Sequence, residues 1–391
     1  MDNFDMSAMI CTIFGLCFLQ WIFRQQQQSL TLGDFETLVN DELPGLSVVI
    51  AAKDEEKTIG AALDSLLELD YPDLEIILIE DRSQDRTLEI AQSKITDHAR
   101  GQRLKVIPCR ELPEGWLGKV HALHLGVKNA KKALVLLTDA DVVFEKGALR
   151  RAVSAQQVLH CDHLVAAPAV RTKGFWEPVL VAFFLLMFSI RFRPHRVHLE
   201  KKNYVGIGAF NLLTREALES CQYLEPLKLQ IIEDVHLGRL VKSRGLSQHC
   251  LVAENWINVR WFEGLSGCIK GLEKNAYAGL YYSIGLALVS LPAILSPALI
   301  PLWLVASGKF FWVSVYLTFL TLLGLVAVRS CPLPKWVGLF FPLASVILTY
   351  TFIRSIVLAE FRQGIEWRDT HYPLENLRKE HWRFLREEAP M

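Results

Sequence analysis

Asp139-Ala140-Asp141 is the first place in the chain where residue type and spacing suggest chemistry. It directly follows Ala133–Thr138 (ALVLLT), an apolar run that suits a buried strand. Two carboxylates spaced i, i+2 at a strand end can both approach one hard cation. Mg²⁺ or Mn²⁺ prefers such oxygen ligands and leaves the rest of its shell to substrate phosphates. The cation would neutralise charge growing on a departing diphosphate. Two acids in a surface turn are common, so the position after a hydrophobic strand is what gives the motif weight. Two further acidic clusters sit at the ends of apolar runs. Asp54-Glu55 lies beyond Leu46–Ala51 (LSVVIA), and Glu80-Asp81 closes Leu74–Glu80 (LEIILIE). Helix capping is the competing role for Asp54, and for Asp85 after it. Glu233-Asp234 sits where a helical pattern begins in LQIIEDVHLGRLVKSRG. A carboxylate there can act as general base on an acceptor hydroxyl. By spacing alone the pair better suits a helix N-terminus, where acidic charge is favoured and ordinary.

The elements around these clusters alternate. Glu55–Leu69 has helical spacing, with Ile59, Leu63, Leu66 and Leu67 on one side, and Tyr71-Pro72-Asp73 ends it. Arg86–Lys94 and Leu117–Lys131 read as further helices, and Leu104–Pro108 as a further strand. Strand, helix, strand, helix in this order implies an α/β domain with a mainly parallel sheet and right-handed crossovers. Ligands of such sheets gather beyond the carboxyl ends of the strands, where the three acidic clusters would converge.

The 391 residues leave room for one enzyme domain plus membrane segments. Composition is 51% hydrophobic, and mean hydropathy is +0.24, high for a soluble chain. Lys+Arg and Asp+Glu are 42 each, which gives no case for a nucleic-acid partner. The eight cysteines form no C-x-x-C pair, so they read as free thiols of a chain in a reducing compartment. Met6–Phe23 is long enough to cross a bilayer. Asp2 and Asp5 precede it and Arg24 follows, which favours an outside N-terminus and a cytoplasmic continuation. A cleaved signal peptide is the alternative, although a basic n-region is missing. Gly279–Val328 holds two further candidate spans and Trp336–Leu358 a third. Three full crossings would place the tail outside, yet Arg362, Arg368, Arg378, Lys379, Arg383 and Arg386 prefer the cytoplasm. One segment is therefore expected to lie in the interface or re-enter, and Pro292, Pro297 and Pro301 point to the first. Phe175–Ile190 is apolar but short, and suits an interfacial helix or a buried core helix.

SVVIAAKDEEKTIGAALDSLLELDYPDLEIILIEDRSQDRT resembles the opening of family 2 glycosyltransferases with the GT-A fold. GWLGKVHAL (Gly115–Leu123) is similar to a segment of the membrane-bound branch that glycosylates ceramide, carotenoid acids or hopanoid-type lipids. LLTDADVVF resembles that branch's D-x-D strand, IIEDVHLGRLVKSRG its E-D helix, and WRDTHY (Trp367–Tyr372) a terminal element of the ceramide type. The likeness holds over about residues 45 to 275, judged by motif order. It implies that Asp54 and Glu55 lie near the nucleotide base and that Asp81 holds base or ribose. Lys119 would lie by the donor phosphates or sugar, Asp139 would orient sugar or ribose, and Asp141 would bind the metal, with Asp139 beside it. Asp234 would be the catalytic base of an inverting single displacement, with Glu233 adjacent. Gly206–Asn211 (GIGAFN) resembles the acceptor-side loop, in which Gly208 would allow close approach; a plain turn is the other role for it. The family's Q-x-x-R-W motif would fall at Ile257–Trp261. Arg260 would contact the donor and Trp261 the acceptor, but Ile257 replaces the Gln and removes an amide. Lys270 and Lys274 are alternative sources of positive charge. Asp54, Arg82 and Asp369 also depart from the more usual Asn, small residue and Gly.

The resulting expectation is a GT-A domain at residues 25–274, behind an N-terminal anchor (1–24). A membrane region of two to three helices (275–360) and a basic cytoplasmic tail (361–391) follow it. The chain would move a sugar from a nucleotide-sugar, a UDP-sugar by preference, to a lipid in a bacterial inner membrane, with Mg²⁺ or Mn²⁺. A processive polysaccharide synthase and an inactive membrane scaffold are the alternatives. The retained set Asp81, Asp139, Asp141 and Asp234 argues against the scaffold. The few spans and the absent Gln argue against the synthase. Pocket shape, which motifs do not reveal, decides the sugar, the nucleotide and the lipid.

Overall fold

The computed structural model describes residues 3–329 and 331–389. The acidic flank at Asp2 and the last two tail positions fall outside them. In chain order the elements begin with α1 (Asn3–Gln27), β1 (Leu46–Ala52), α2 (Ile59–Leu67), β2 (Leu74–Asp81), α3 (Thr87–Asp97), β3 (Leu104–Cys109) and α4 (Gly118–Asn129). Then come β4 (Leu134–Asp139), β5 (Val142–Phe144), α5 (Ala148–Val158), β6 (His163–Val170), α6 (Trp176–Phe192), β7 (Asn211–Thr214), α7 (Arg215–Ser220), α8 (Glu233–Ser243) and β8 (Gln248–Val259). The chain ends with α9 (Gly264–Gly279), α10 (Ile284–Ala306), α11 (Phe310–Ala327), α12 (Phe341–Phe361), β9 (Gly364–Trp367), β10 (Thr370–Pro373) and α13 (Leu374–Glu387).

Eight strands form one sheet in the order β3-β2-β1-β4-β7-β6-β8-β5. β1, β2, β3 and β4 are parallel to their neighbours in that half, as the alternating pattern predicts. β7 and β5 run antiparallel to their partners, so the sheet is mixed and mostly parallel. The pattern did not reveal β5 to β8. Val48 and Ile50 of β1 pack with Leu63 and Leu66 of α2 and Leu149 of α5. Val49 and Ile79 face the other way, onto Val120 and Val127 of α4 and Leu237 of α8. Both faces are covered, so these strands are apolar throughout rather than alternating. Register sets Ala51 beside Asp139 and Ala52 beside Glu80. The acidic turns after β1, β2 and β4 therefore share one rim.

α10, α11 and the helical stretch Lys335–Phe361 are long and apolar enough to cross a membrane. α10 stays helical through all three prolines. α6 is buried over its first half, against α9 and α12, which fits a buried helix. The segment expected as a basic tail packs on the sheet domain. Tyr372, Leu374, Leu377 and Phe384 belong to the same core as α4 and α8. Glu388 accepts from Ser243 Oγ at 2.7 Å and pairs with Arg244 at 2.8 Å.

Glycine sets how closely α8 can approach the loop before β7. A Cβ at Gly238 would lie 2.1 Å from the Val205 carbonyl oxygen, and one at Gly206 would lie 1.7 Å from that of Asp234. Neither neighbour is a movable side-chain tip, so the backbone would have to shift. Gly238→Ala is expected to cost about 1–3 kcal/mol, as overpacking does, read as a lowered Tm in detergent; an unchanged Tm would mean that loop and helix separate freely.

Candidate active site

The strand ends, the start of α4, the loop before β7 and the start of α8 meet at one group of charges. Lys119 stands in the first turn of α4 and bridges two carboxylates. Its Nζ is 2.6 Å from Asp139 Oδ1 and 2.7 Å from Glu233 Oε1. Asp234, beside Glu233, accepts at Oδ2 from the Gly208 N–H (2.9 Å) and at Oδ1 from the Val235 N–H (2.8 Å). A Cβ at Gly208 would sit 2.5 Å from Asp139 Oδ2, so only glycine lets this loop reach both acids. A small cavity lies behind the cluster, lined by Leu123, Leu137, Asn211, Leu224 and Leu237.

Burial disfavours every charge here, and partners decide which groups keep theirs. Lys119 is held protonated, above its ordinary range, by Asp139, Glu233 and Asp234 acting against burial. Asp139 stays below the usual carboxylate range because Lys119, with Lys274 and Arg368 behind it, outweighs burial. Asp234 is pushed up to about 6, by burial first and then by Glu233. Asp141 rises to about 7, through burial and then through Asp139 and Glu55. Among the described residues no side chain bonds the Asp141 carboxyl, and no three acidic, His or Cys groups form a metal cage. Asp139 and Asp141 thus offer two carboxylates where negative charge is under-compensated. That suits a cation completing its shell with substrate phosphates, and not a closed structural site.

The turn after β1 is tied to the turn after β2. Asp54 has a positive φ of 53° and accepts from the Gln84 N–H at 2.8 Å. Arg82 also has a positive φ, 56°. Asp and Asn tolerate this left-handed conformation better than most residues, which accounts for an acid at 54. The Asp81 carboxylate is engaged by the guanidinium of Arg82, at 2.8 and 3.2 Å. A Cβ at Gly118 would come within 2.5 Å of Asp81 Oδ2, so the second glycine of GWLGK lets α4 start against that acid. Asp85 accepts from the Thr87 and Glu56 N–H groups, the capping role anticipated for it.

The structure brings Asp139, Lys119, Glu233, Asp234 and Gly208 into direct contact, with Asp141 beside Asp139, and puts Asp54, Glu55 and Asp81 on the adjoining rim. It does not bring Arg260 and Trp261 into that set. Ile257 is fully buried opposite Phe144, a core position that explains an apolar residue in place of Gln. Arg260 pairs with Glu177 (3.7 Å) and Glu263 (3.8 Å), and Trp261 stacks on Phe262 and Phe184, with centroids at 4.4 and 4.9 Å. Lys274 of α9 and Arg368 of the β9–β10 turn supply the cations there instead. Arg368 bonds the Lys53 carbonyl and Glu55 Oε1 (2.5 Å), and the Lys53 ammonium bonds the Arg368 carbonyl at 2.6 Å. Lys274 lies over the Trp367 ring at 4.0 Å, and Tyr372 Oη accepts from the Gly118 N–H at 3.2 Å. Arg368 is more than 300 positions from its partners, and only the WRDTHY resemblance pointed to it.

Residues 47–221 match the glycosyl transferase family 2 model, so the chain carries a family 2 glycosyltransferase domain. One solved structure alike over most of the chain is a mannosyltransferase from Pyrobaculum calidifontis in complex with GDP-Man and Mn²⁺. It covers 92% of this chain and 96% of that one at 16% identity and a TM-score of 0.54, and it shows the GT-A fold. The 4,4'-diaponeurosporenoate glycosyltransferase of Staphylococcus aureus (strain N315) is 27% identical over 66% of this chain and 66% of its own length. The poly-beta-1,6-N-acetyl-D-glucosamine synthase of Staphylococcus epidermidis is 35% identical over 28% of this chain and 24% of its own. The chain thus spans about a quarter of the polysaccharide synthase and about two thirds of the carotenoid enzyme.

Lys119→Met is expected to destabilise the fold by about 1–3 kcal/mol near pH 8, less than a fully buried pair would lose because Lys119 and Asp139 are partly exposed. Without the ammonium, burial is no longer opposed at Asp139 and is opposed less at Asp234, so the folded pKa of each rises relative to its unfolded value. The loss is therefore largest at high pH and shrinks as acid protonates them. Thermal unfolding of both proteins at pH 5 and pH 8 checks this; an equal gap at both values would sink it.

Proposed function

We propose that the chain is an inverting glycosyltransferase that moves a sugar from a nucleotide-sugar donor to a lipid acceptor in the membrane. The observation that carries this is Asp234, raised toward neutrality and oriented by the Gly208 N–H, one step from the Asp139–Lys119–Glu233 bridge. Asp234 takes the proton from the acceptor hydroxyl as that oxygen attacks the anomeric carbon, and the sugar–phosphate bond breaks. A base poised near the working pH is suited to this step. Asp54, Glu55 and Asp81 line the nucleotide end, and Asp81 reaches base or ribose once Arg82 yields it. Lys119 steadies Asp139 and Glu233 beside the donor sugar. Asp139 and Asp141 would hold Mg²⁺ or Mn²⁺, which when bound neutralises the diphosphate leaving group. The mannosyltransferase complex with GDP-Man and Mn²⁺ on the same fold supports this assignment. Lys274 and Arg368 add the positive charge that Arg260 was expected to bring.

The lipid acceptor is favoured by α9, which carries Lys274 at the site and packs along its length on α12. The carotenoid relative, matched over more of the chain than the polysaccharide synthase, supports the same choice. Arg24 at the domain end of α1 supports a catalytic domain on the cytoplasmic side, where nucleotide-sugars are made.

Purified protein in detergent, given UDP- and GDP-sugars, Mn²⁺ or Mg²⁺ and a membrane lipid extract, is expected to form one glycolipid. Asp234→Asn and Asp141→Asn should each lower turnover by about 10²-fold or more. A soluble polymer as product would favour the synthase, and no donor turnover or binding under any condition would favour a scaffold. With wild-type enzyme, kcat/KM should rise with pH and level off above about 6, where Asp234 becomes an unprotonated base. A profile that falls over that range would remove Asp234 from the role.

A further inference from the structure

Two apolar helices leave the sheet domain at points joined by one basic segment. α1 is apolar from Thr12 to Arg24, and Trp21 and Arg24 stand near its domain end. α10 is capped by Ser283, directly after Tyr281 and Tyr282, which are both at positive φ. Tyr282 belongs to the core shared with Tyr372 and Phe384, so α10 starts on the domain side. Residues 191–202 (RFRPHRVHLEKK) follow α6 and are tied to both helices. The Arg193 guanidinium lies 5.6 Å over the Trp21 ring, and Arg191 donates to Tyr281 Oη. Trp and Tyr at the ends of apolar helices mark the headgroup level of a bilayer. The basic segment is therefore pinned at that level.

Its charges are largely unpaired. The segment holds five Lys or Arg, two His and a single acid, Glu200. Glu200 is already taken, by Arg196 at 2.5 Å and Lys202 at 3.8 Å. Arg191 and Arg193 meet aromatic rings and, among the described residues, no carboxylate. Leu199, between His198 and Glu200, is 61% exposed. Unpaired cations beside an exposed apolar side chain suit a surface that meets anionic lipid.

The segment also completes a more specific group. His198 stacks on His249 of β8, with ring centroids 4.8 Å apart and planes at 16°. Lys242, in the last turn of α8, is only 8% exposed, and among the described residues its ammonium has neither an ion pair nor a hydrogen bond. Its charge reaches both imidazoles. Burial pushes Lys242, His198 and His249 toward their neutral forms, and no carboxylate opposes it at any of the three. An ammonium removed from water without a partner is costly. The neighbouring Arg244 shows the ordinary remedy, a carboxylate (Glu388) at 2.8 Å. A phosphate oxygen would supply the same charge at Lys242, accepting from its ammonium and from the imidazole N–H groups.

We propose that Lys242, His249 and His198 bind the phosphate of an anionic lipid headgroup, and that residues 191–202 rest on the headgroup layer around it. The site is separate from the candidate active site. Lys242 stands eight residues beyond Asp234 on α8, about 12 Å along the helix. The inference rests on the membrane reading and not on the transfer reaction. Full-length protein purified in detergent is titrated with dioctanoyl phosphatidylglycerol, dioctanoyl phosphatidylcholine or inorganic phosphate while thermal unfolding is followed. Phosphatidylglycerol at saturation should raise Tm by about 3 °C or more, and the other two by much less. Lys242→Gln and His198→Gln should each move the phosphatidylglycerol midpoint about tenfold higher. Lys105→Gln, on β3 at the other end of the sheet, should leave it in place. If Lys242→Gln does not fold, His198→Gln decides, because His198 is exposed. Equal shifts with both lipids, or a midpoint unmoved by the variants, would overturn the site. Inorganic phosphate acting as well as phosphatidylglycerol would overturn its assignment to lipid. Alkaline carbonate extraction separates the two readings. A protein stripped from membranes fails the membrane reading itself, whereas one that is retained but does not distinguish the lipids fails only this proposal.

Discussion

Too much negative charge in too little space is the constraint on which this site depends. Asp139, Asp141, Glu233 and Asp234 come from two distant parts of the chain and face one crevice. Carboxylates at that density repel one another and lose hydration, so folding would protonate or separate them. One ammonium prevents this. Lys119 reaches Asp139 and Glu233 together and thereby fixes α4 against both β4 and α8. What it leaves uncompensated, Asp141 and Asp234, are the two groups to which the proposed reaction gives a cation and a proton. The electrostatics of the fold and of the chemistry are one problem.

The backbone serves the same end. Gly118, Gly206, Gly208 and Gly238 each stand where a Cβ would strike an acid or a carbonyl within 2.5 Å. They let the starts of two helices and one loop come closer than side chains allow. Removing any of these contacts would move a carboxylate before it weakened a core.

The first half of the sheet was legible in the sequence because β1, β2 and β4 are buried on both faces and appear as unbroken apolar runs beside periodic helices. Their register, and with it the shared acidic rim, followed from topology. β5 to β8 were not legible. β8 (QHCLVAENWINV) has no clean alternation, and its pairing with β6 jumps from Ala253 to Asn258 between Pro168 and Ala169, while β7 has only four residues. The Q-x-x-R-W match misled for a local reason: Ile257 answers to the core and not to the site. Lys274 was visible only as a nearby charge. Arg368 was beyond any local pattern, since its partners Lys53 and Glu55 are brought to it by the whole fold.

That last contact has a bearing on how the molecule comes into being. The β9–β10 turn, with Arg368 and Asp369 both at positive φ, closes onto the first strand of the sheet, and Tyr372 onto the start of α4. Everything between, including α9 to α12, is synthesised before these residues leave the ribosome. The sheet can therefore form early, while the rim that holds Lys53, Glu55 and Gly118 gains its last partners only after all three long apolar helices have been made. The order of synthesis thus leaves this face of the candidate site to be completed last.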